Sequence, residues 1–322
     1  MRRTLQEQIA ANKRASAVWV ALLVILLTAL GTAIVGTYAP DYWIAGSVAS
    51  LVAALLSAVI AAKAGPGIVL SISGARDATA AEDQVLRNVT EEMAIAAGVP
   101  MPQVRVIDDG APNAFATGPD PRHGVVCVTT GLLRKLNRDE LQGVVAHEMG
   151  HIRNYDIRFM TTVGMIAGMI PLLSDFFLRS LWWGGGRSRK SSNSDSGNLG
   201  FVFLAVGLVL AILAPLFAKI LELAVSRQRE YLADATAAEL TRNPEGLANA
   251  LRKIAADPEP LEAANRATQH LYIVNPLRRL DSIFSTHPPT EERIRRLLGG
   301  MGTPIDQGAN DGDPLRDWAQ RG

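Results

Sequence analysis

The chain has 322 residues, 32 Lys plus Arg against 31 Asp plus Glu, and a formal net charge of +1. That balance lacks the basic domain or stripe of a nucleic-acid binder, and a single cysteine, Cys127, excludes an intramolecular disulfide and a cysteine-based zinc knuckle. With 48% hydrophobic and 20% charged residues and a mean hydropathy of +0.14, the chain is a membrane protein or an unusually apolar globule.

In chain order, the first element is an uncharged run of 26 residues, Ala15 to Pro40, followed after Asp41 by another of 21, Tyr42 to Ala62. About 20 apolar residues cross a bilayer core as a helix, so both qualify, and the short Thr37–Asp41 link makes them a hairpin. A cleaved signal peptide would have a shorter apolar run and no second span directly behind it. Arg2, Arg3, Lys13 and Arg14 precede the first run, Lys63 and Arg76 follow the second, and the link has no basic residue. The positive-inside rule then puts the N-terminus and the segment from Lys63 to Arg158 on the cytoplasmic side.

Val85, Val89, Met93 and Ala96 recur at helical spacing over Thr79–Ala97, where Gly98 and Pro100 stop the pattern. Val104–Ile107 and Gly124–Thr130 read as short strands of a small sheet, separated by turn-forming Asp108–Gly110 and Asn113–Pro121. Asn137 and Glu140 make a capping box that opens a helix through Leu141, Val144, Val145 and Met149. Later come a weak apolar run of 16 residues, Phe159–Ser174, a Gly/Ser-rich loop with four basic residues between Arg179 and Lys190, and a clear run of 23, Ser196–Ala218. The weak run reads as a tilted or half-buried segment, and the basic loop conflicts with a simple outward placement. Helices follow over Leu223–Leu240, from Asn243-Pro244 to Asp257, and over Glu291–Leu298; the tail beyond Met301 reads as disordered.

His147-Glu148-Met149-Gly150-His151 is H-E-x-x-H on the capped helix. Residues four apart share a helix face, so both imidazoles point into one site, as zinc ligation requires, and Glu148 sits where a base can take a proton from water. A catalytic zinc takes three protein ligands, so a third must come from elsewhere. Glu230 is the best source, with Asp234 one turn on to orient a ligating imidazole through its second nitrogen; the bland alternative is a solvated face beside Arg227 and Arg229. The two ligand sets flank the third and fourth apolar runs, so that pair must cross the membrane twice or not at all.

Together with Asn113-Ala114-Phe115-Ala116-Thr117-Gly118, Ser226–Asp234 and Phe284-Ser285-Thr286-His287-Pro288-Pro289-Thr290-Glu291-Glu292-Arg293, this motif resembles the HtpX-type membrane metalloproteases, kin of the eukaryotic CAAX prenyl protease. The likeness covers about residues 1–298 in matching order. It implies a mainly α integral membrane protein with about four transmembrane helices and a zincin-type (gluzincin) α+β protease domain. By the same likeness the chain is a zinc endopeptidase of the bacterial cytoplasmic membrane, with one Zn2+ per subunit, that degrades damaged or misfolded membrane proteins. His147, His151 and Glu230 are the implied zinc ligands and Glu148 the general base. His287 and Arg293 are implied to polarise the scissile carbonyl and hold substrate or site residues, and Asn113 and Phe115 to flank the strand edge where substrate pairs. The rival functions are a specific processing peptidase of the CAAX kind and a membrane scaffold with a non-catalytic metal site.

The expected organisation is an N-terminal hairpin (1–63), a first protease segment with the H-E-x-x-H motif (64–158), a second transmembrane or re-entrant hairpin (159–218), a second protease segment (219–300) and the tail (301–322). His123 and His270 lack ligand-spaced partners, and Cys127 reads as sheet packing.

Overall fold

A computed structural model describes residues 5–184, 194–263, 271–274 and 288–299. His287, the tail and most of the basic loop fall outside these. Helices α1 (Leu5–Tyr38) and α2 (Trp43–Lys63) are joined by a 3-10 turn at Pro40–Tyr42, the expected hairpin. After α3 (Gly65–Ile72) and β1 (Arg76–Asp77) comes α4 (Ala80–Ala97), opened by a capping box between Thr79 and Glu82 and ended by Gly98 at φ 65°. A positive φ is reached readily only without a Cβ, so glycine stops the helix here.

Strands β2 (Gln103–Ile107), β3 (Ala114–Thr117) and β4 (Val125–Thr129) join β1 in a mixed sheet of order β1-β2-β4-β3. β2 runs parallel to β4, and β3 antiparallel to it, with Phe115 opposite Cys127. The Asn113–Pro121 stretch, expected as a turn, therefore contains a strand. Four residues, AFAT, carry too weak an alternation to be read alone, and pairing with the apolar β4 supplies the stability. Helix α5 (Thr130–Lys135) leads to α6 (Arg138–Arg153), whose cap is the predicted one: the Glu140 N–H donates to Asn137 Oδ1 and the Asn137 N–H to Glu140 Oε2, each at 2.9 Å.

The weak third run becomes α7 (Asp156–Gly184), 29 residues long, and the fourth lies in α8 (Ser194–Thr241), 48 residues. Both continue through charged residues that had bounded the apolar runs, because tertiary packing extends helices past local sequence limits. Among the described residues, four helical stretches are long and apolar enough to cross a membrane: Arg14–Tyr38, Pro40–Lys63, Asp156–Trp183 and Asn198–Ile220. The expected divisions near residues 158 and 218 fall inside continuous helices. Helices α9 (Pro244–Ala256) and α10 (Thr290–Gly299) complete the fold.

One apolar core joins the sheet to α4, α6 and α9 through Leu86, Val106, Val126, Val144, Met149 and Leu251. A second packs α1 and α7 against Phe115 and Tyr272. Helix α6 is buried along nearly its whole length, and α9 approaches it so closely that a Cβ on Gly143 would lie 2.6 Å from Leu247 N and 2.8 Å from its Cα. Neither is a movable side-chain end. Gly143→Ala should cost about 1–3 kcal/mol by forcing the helices apart. Gly67→Ala, which meets nothing within 4 Å in α3, should be neutral or slightly stabilising. Thermal unfolding of the two variants in detergent reads the contrast, and equal midpoints would refute it.

Candidate metal centre

Helix α6 delivers His147, Glu148 and His151, and α8 crosses it to deliver Glu230 and Asp234. The crossing is tight at Gly150, where a Cβ would sit 3.1 Å from Ala233 Cα. All five functional side chains are buried, with exposures of 0%, 1%, 5%, 1% and 4% in that order. Arg229 is buried too, so the Arg-rich face beside Glu230 is not simply a solvated one.

The imidazole rings of His147 and His151 meet nearly at right angles, with centroids 4.8 Å apart. Their Nε2 atoms stand 3.2 Å apart, and Glu230 Oε1 and Oε2 lie 3.4 Å from His151 Nε2 and 3.7 Å from His147 Nε2. One ligand atom from each residue lies within 4.8 Å of the others, so this buried His-His-Glu group can hold a metal ion. Two neutral imidazole lone pairs aimed together repel unless a cation or proton lies between them. Tetrahedral zinc with bonds of about 2.0–2.1 Å sets ligand atoms about 3.3 Å apart, which these separations match.

Electrostatics separate the members. Burial is the main force on Glu148, pushing its carboxyl up to about 7; Glu230 adds to the rise, while the Ala116 N–H of β3 donates to the carboxylate and opposes it. Burial lowers His147. Burial also works against a charged His151, but hydrogen bonds to Asp156 and Glu230 together with their charges outweigh it and push that ring up to about 10. Cys127, buried in β4, is pushed up to about 12 chiefly by burial and is inert as a nucleophile.

Asp234 Oδ1 lies 2.9 Å from His147 Nδ1. The carboxylate also receives Arg293 through Nε at 2.9 Å and Nη2 at 2.7 Å, and the guanidinium holds it below the usual range against the burial that would raise it. Arg293 Nη1 lies 3.2 Å from Glu230 Oε2 and donates to the Ile273 carbonyl at 2.7 Å. Asn113 and Phe115 are buried beside the same segment. Asn113 Nδ2 donates to the Val274 carbonyl at 3.0 Å, the Ile273 N–H donates to the Ala114 carbonyl at 2.9 Å, and the Phe115 ring meets Tyr272 edge-on at 5.1 Å.

The structure thus brings together eight of the nine site residues expected from the sequence: His147, Glu148, His151, Glu230, Asp234 and Arg293 cluster, with Phe115 on β3 and Asn113 immediately before that strand beside them. His287 lies outside the described residues. Sequence reasoning missed Asp156, whose Oδ2 is 3.4 Å from His151 Nδ1, and its partner Arg229. The only signal was an acidic residue five after His151 at the start of an apolar run.

Arg293→Met should leave Glu230 and Asp234 without their buried counter-charge. Loss of one partner of such a network costs about 3–5 kcal/mol. Denaturant unfolding of the metal-free protein measures it, and parent-like stability would show that the guanidinium is dispensable.

The family described as Peptidase family M48 matches residues 80–300. A protease HtpX homolog of Caldanaerobacter subterraneus subsp. tengcongensis is 48% identical over 296 residues, spanning 92% of this chain and 98% of that protein. A protease HtpX homolog of Ligilactobacillus salivarius is 44% identical over 296 residues, spanning 91% and 99%. Among solved structures, S. mikatae Ste24p overlaps 91% of this chain and 66% of its own, at 20% identity and a TM-score of 0.48.

Proposed function

Because the chain belongs to peptidase family M48 and is a membrane metalloprotease, we propose that it is a zinc endopeptidase of a bacterial cytoplasmic membrane that degrades misfolded or damaged membrane proteins from the cytoplasmic side. The observation that carries this reading is the convergence of buried His147 and His151 Nε2 atoms with the Glu230 carboxylate beside a fourth buried group, Glu148. The site's position supports the substrate class: His151 lies five residues before the third candidate span and Glu230 ten residues beyond the fourth.

Zinc, one per subunit, would be held by His147, His151 and Glu230, and when bound it supplies a Lewis acid that polarises the scissile carbonyl and acidifies water. Glu148 takes the proton from the attacking water and passes it to the leaving amine. The Ala116 N–H fixes the Glu148 carboxylate, and burial raises its basicity towards the working pH. Asp234 holds the His147 ring by Nδ1, and Arg293 balances the charge of Asp234 and Glu230. His287 is assigned to donate to the developing oxyanion. Asn113 and Phe115 are assigned to substrate binding: they fix β3, the edge strand beside which an extended peptide would lie, a mode that gains main-chain hydrogen bonds with little side-chain selection.

Glu148→Gln should keep zinc and lower casein cleavage by about 10²–10⁴-fold, since the amide keeps the size but cannot take the proton. Wild-type turnover would refute the base assignment. Glu230→Ala should lose both metal and activity, read by metal analysis of the purified protein; one zinc per chain at unchanged affinity would point to a different ligand.

Reporter fusions test the sidedness. Those after Lys63 and after Asp234 should both read cytoplasmic and one between Tyr38 and Asp41 external. Opposite readings after Lys63 and Asp234 would be incompatible with a metal shared by His147 and Glu230.

A further inference from the structure

We propose that Asp156, anchored by Arg229, is a positioning residue that holds the His151 ring, as the Asp234–Arg293 pair holds His147. The proposal rests on the zinc-peptidase reading and concerns residues that the sequence motifs left unassigned.

The two histidine rings are almost perpendicular, at 89°. Their Nδ1 atoms therefore face different directions although their Nε2 atoms converge, and a single carboxylate cannot orient both. Asp234 is at 2.9 Å from His147 Nδ1. His151 Nδ1 instead faces Asp156 Oδ2 at 3.4 Å. The ring nitrogen left for the metal is set by the hydrogen bond the other makes. A carboxylate accepting at Nδ1 selects the tautomer with Nε2 unprotonated, the atom that faces Glu230 and His147.

The chain is bent to put Asp156 there. Helix α6 ends at Arg153, and Tyr155 takes φ 62°, a left-handed conformation rare outside glycine, before α7 begins at Asp156. Asp156 is fully buried and needs a counter-charge. Arg229 supplies it through Nη1 to Asp156 Oδ1, while its Nη2 donates to Ser16 Oγ of α1 at 2.9 Å and its guanidinium lies over the Phe159 ring at 4.1 Å. Each zinc-facing histidine thus has behind it an aspartate and a buried arginine: His147–Asp234–Arg293 and His151–Asp156–Arg229. A salt bridge that merely joined α7 to α8 would need no carboxylate oxygen turned to the imidazole.

The test uses the full chain purified in detergent. Asp156→Asn should weaken zinc binding, measured by competition with a chromophoric chelator, by about 10–100-fold. In the cobalt(II)-loaded protein it should remove or shift one exchangeable, paramagnetically shifted histidine N–H resonance that Asp234→Asn leaves in place. A purely structural role would move neither reading. Arg229→Gln, which keeps the Asp156 carboxylate but removes its charged anchor, is the second variant, to be used if Asp156→Asn does not fold. It should weaken zinc binding by about tenfold, the lower end of the range for such outer contacts. Parent-like zinc affinity and an unchanged cobalt spectrum in the folded variant would overturn the proposal. A parent protein that takes up neither zinc nor cobalt would overturn the peptidase reading and this inference with it.

Discussion

The buried guanidinium of Arg293 is the interaction on which the arrangement of the site depends. Glu230 and Asp234 stand one helical turn apart on α8, both shielded from water, and two such carboxylates would repel each other and resist ionisation. Arg293 answers both: it forks onto Asp234 and reaches Glu230, and its remaining donor fixes the Ile273 carbonyl. One residue from α10 therefore supplies a counter-charge to two α8 carboxylates and fixes the place of the segment along β3. The fixed five-donor fork suits this task in a way that a lysine ammonium does not.

Around that centre the fold solves a problem of reach. The two ligand-bearing helices are also the two that run into the candidate third and fourth spans, α6 by way of α7 and α8 directly. The ligands are therefore positioned by helices rather than by loops, and α8, which carries Glu230, also packs against α1. Tight approaches at Gly150 and Gly143 let α8 and α9 lie against α6 and bury its motif face. Burial strengthens each polar contact in the site, and for the same reason it demands that each buried charge have a partner.

The edge strand shows where local pattern was too weak. The stretch around Asn113 has the composition of a turn, yet Ala114–Thr117 is a strand because β4 offers a buried apolar neighbour and because small alanines fit between sheet and helices. Its outer edge meets the site on one side, through the Ala116 N–H to Glu148, and residues 271–274 on the other. Asn113 and Phe115 look like a polar turn residue and a single aromatic in the sequence. In the fold, the amide closes on Val274 and the ring on Tyr272, partners about 160 residues away that no local spacing reveals.

From the sequence alone came whatever depends on periodicity and local chemistry: the long uncharged runs, the caps at Thr79 and Asn137, and two histidines and a glutamate on one helix turn. The spacing of Glu230 and Asp234 could also be read, because four residues along a helix fix a shared face. Only the tertiary structure decided the length of α7, the strand at Ala114, and the pairing of Asp156 with both His151 and Arg229. The reason is physical: a helix face or a cap is fixed by neighbours in the chain. The orientation of an imidazole ring and the balance of a buried charge are fixed by groups that meet only after α6, α7, α8 and α10 have packed.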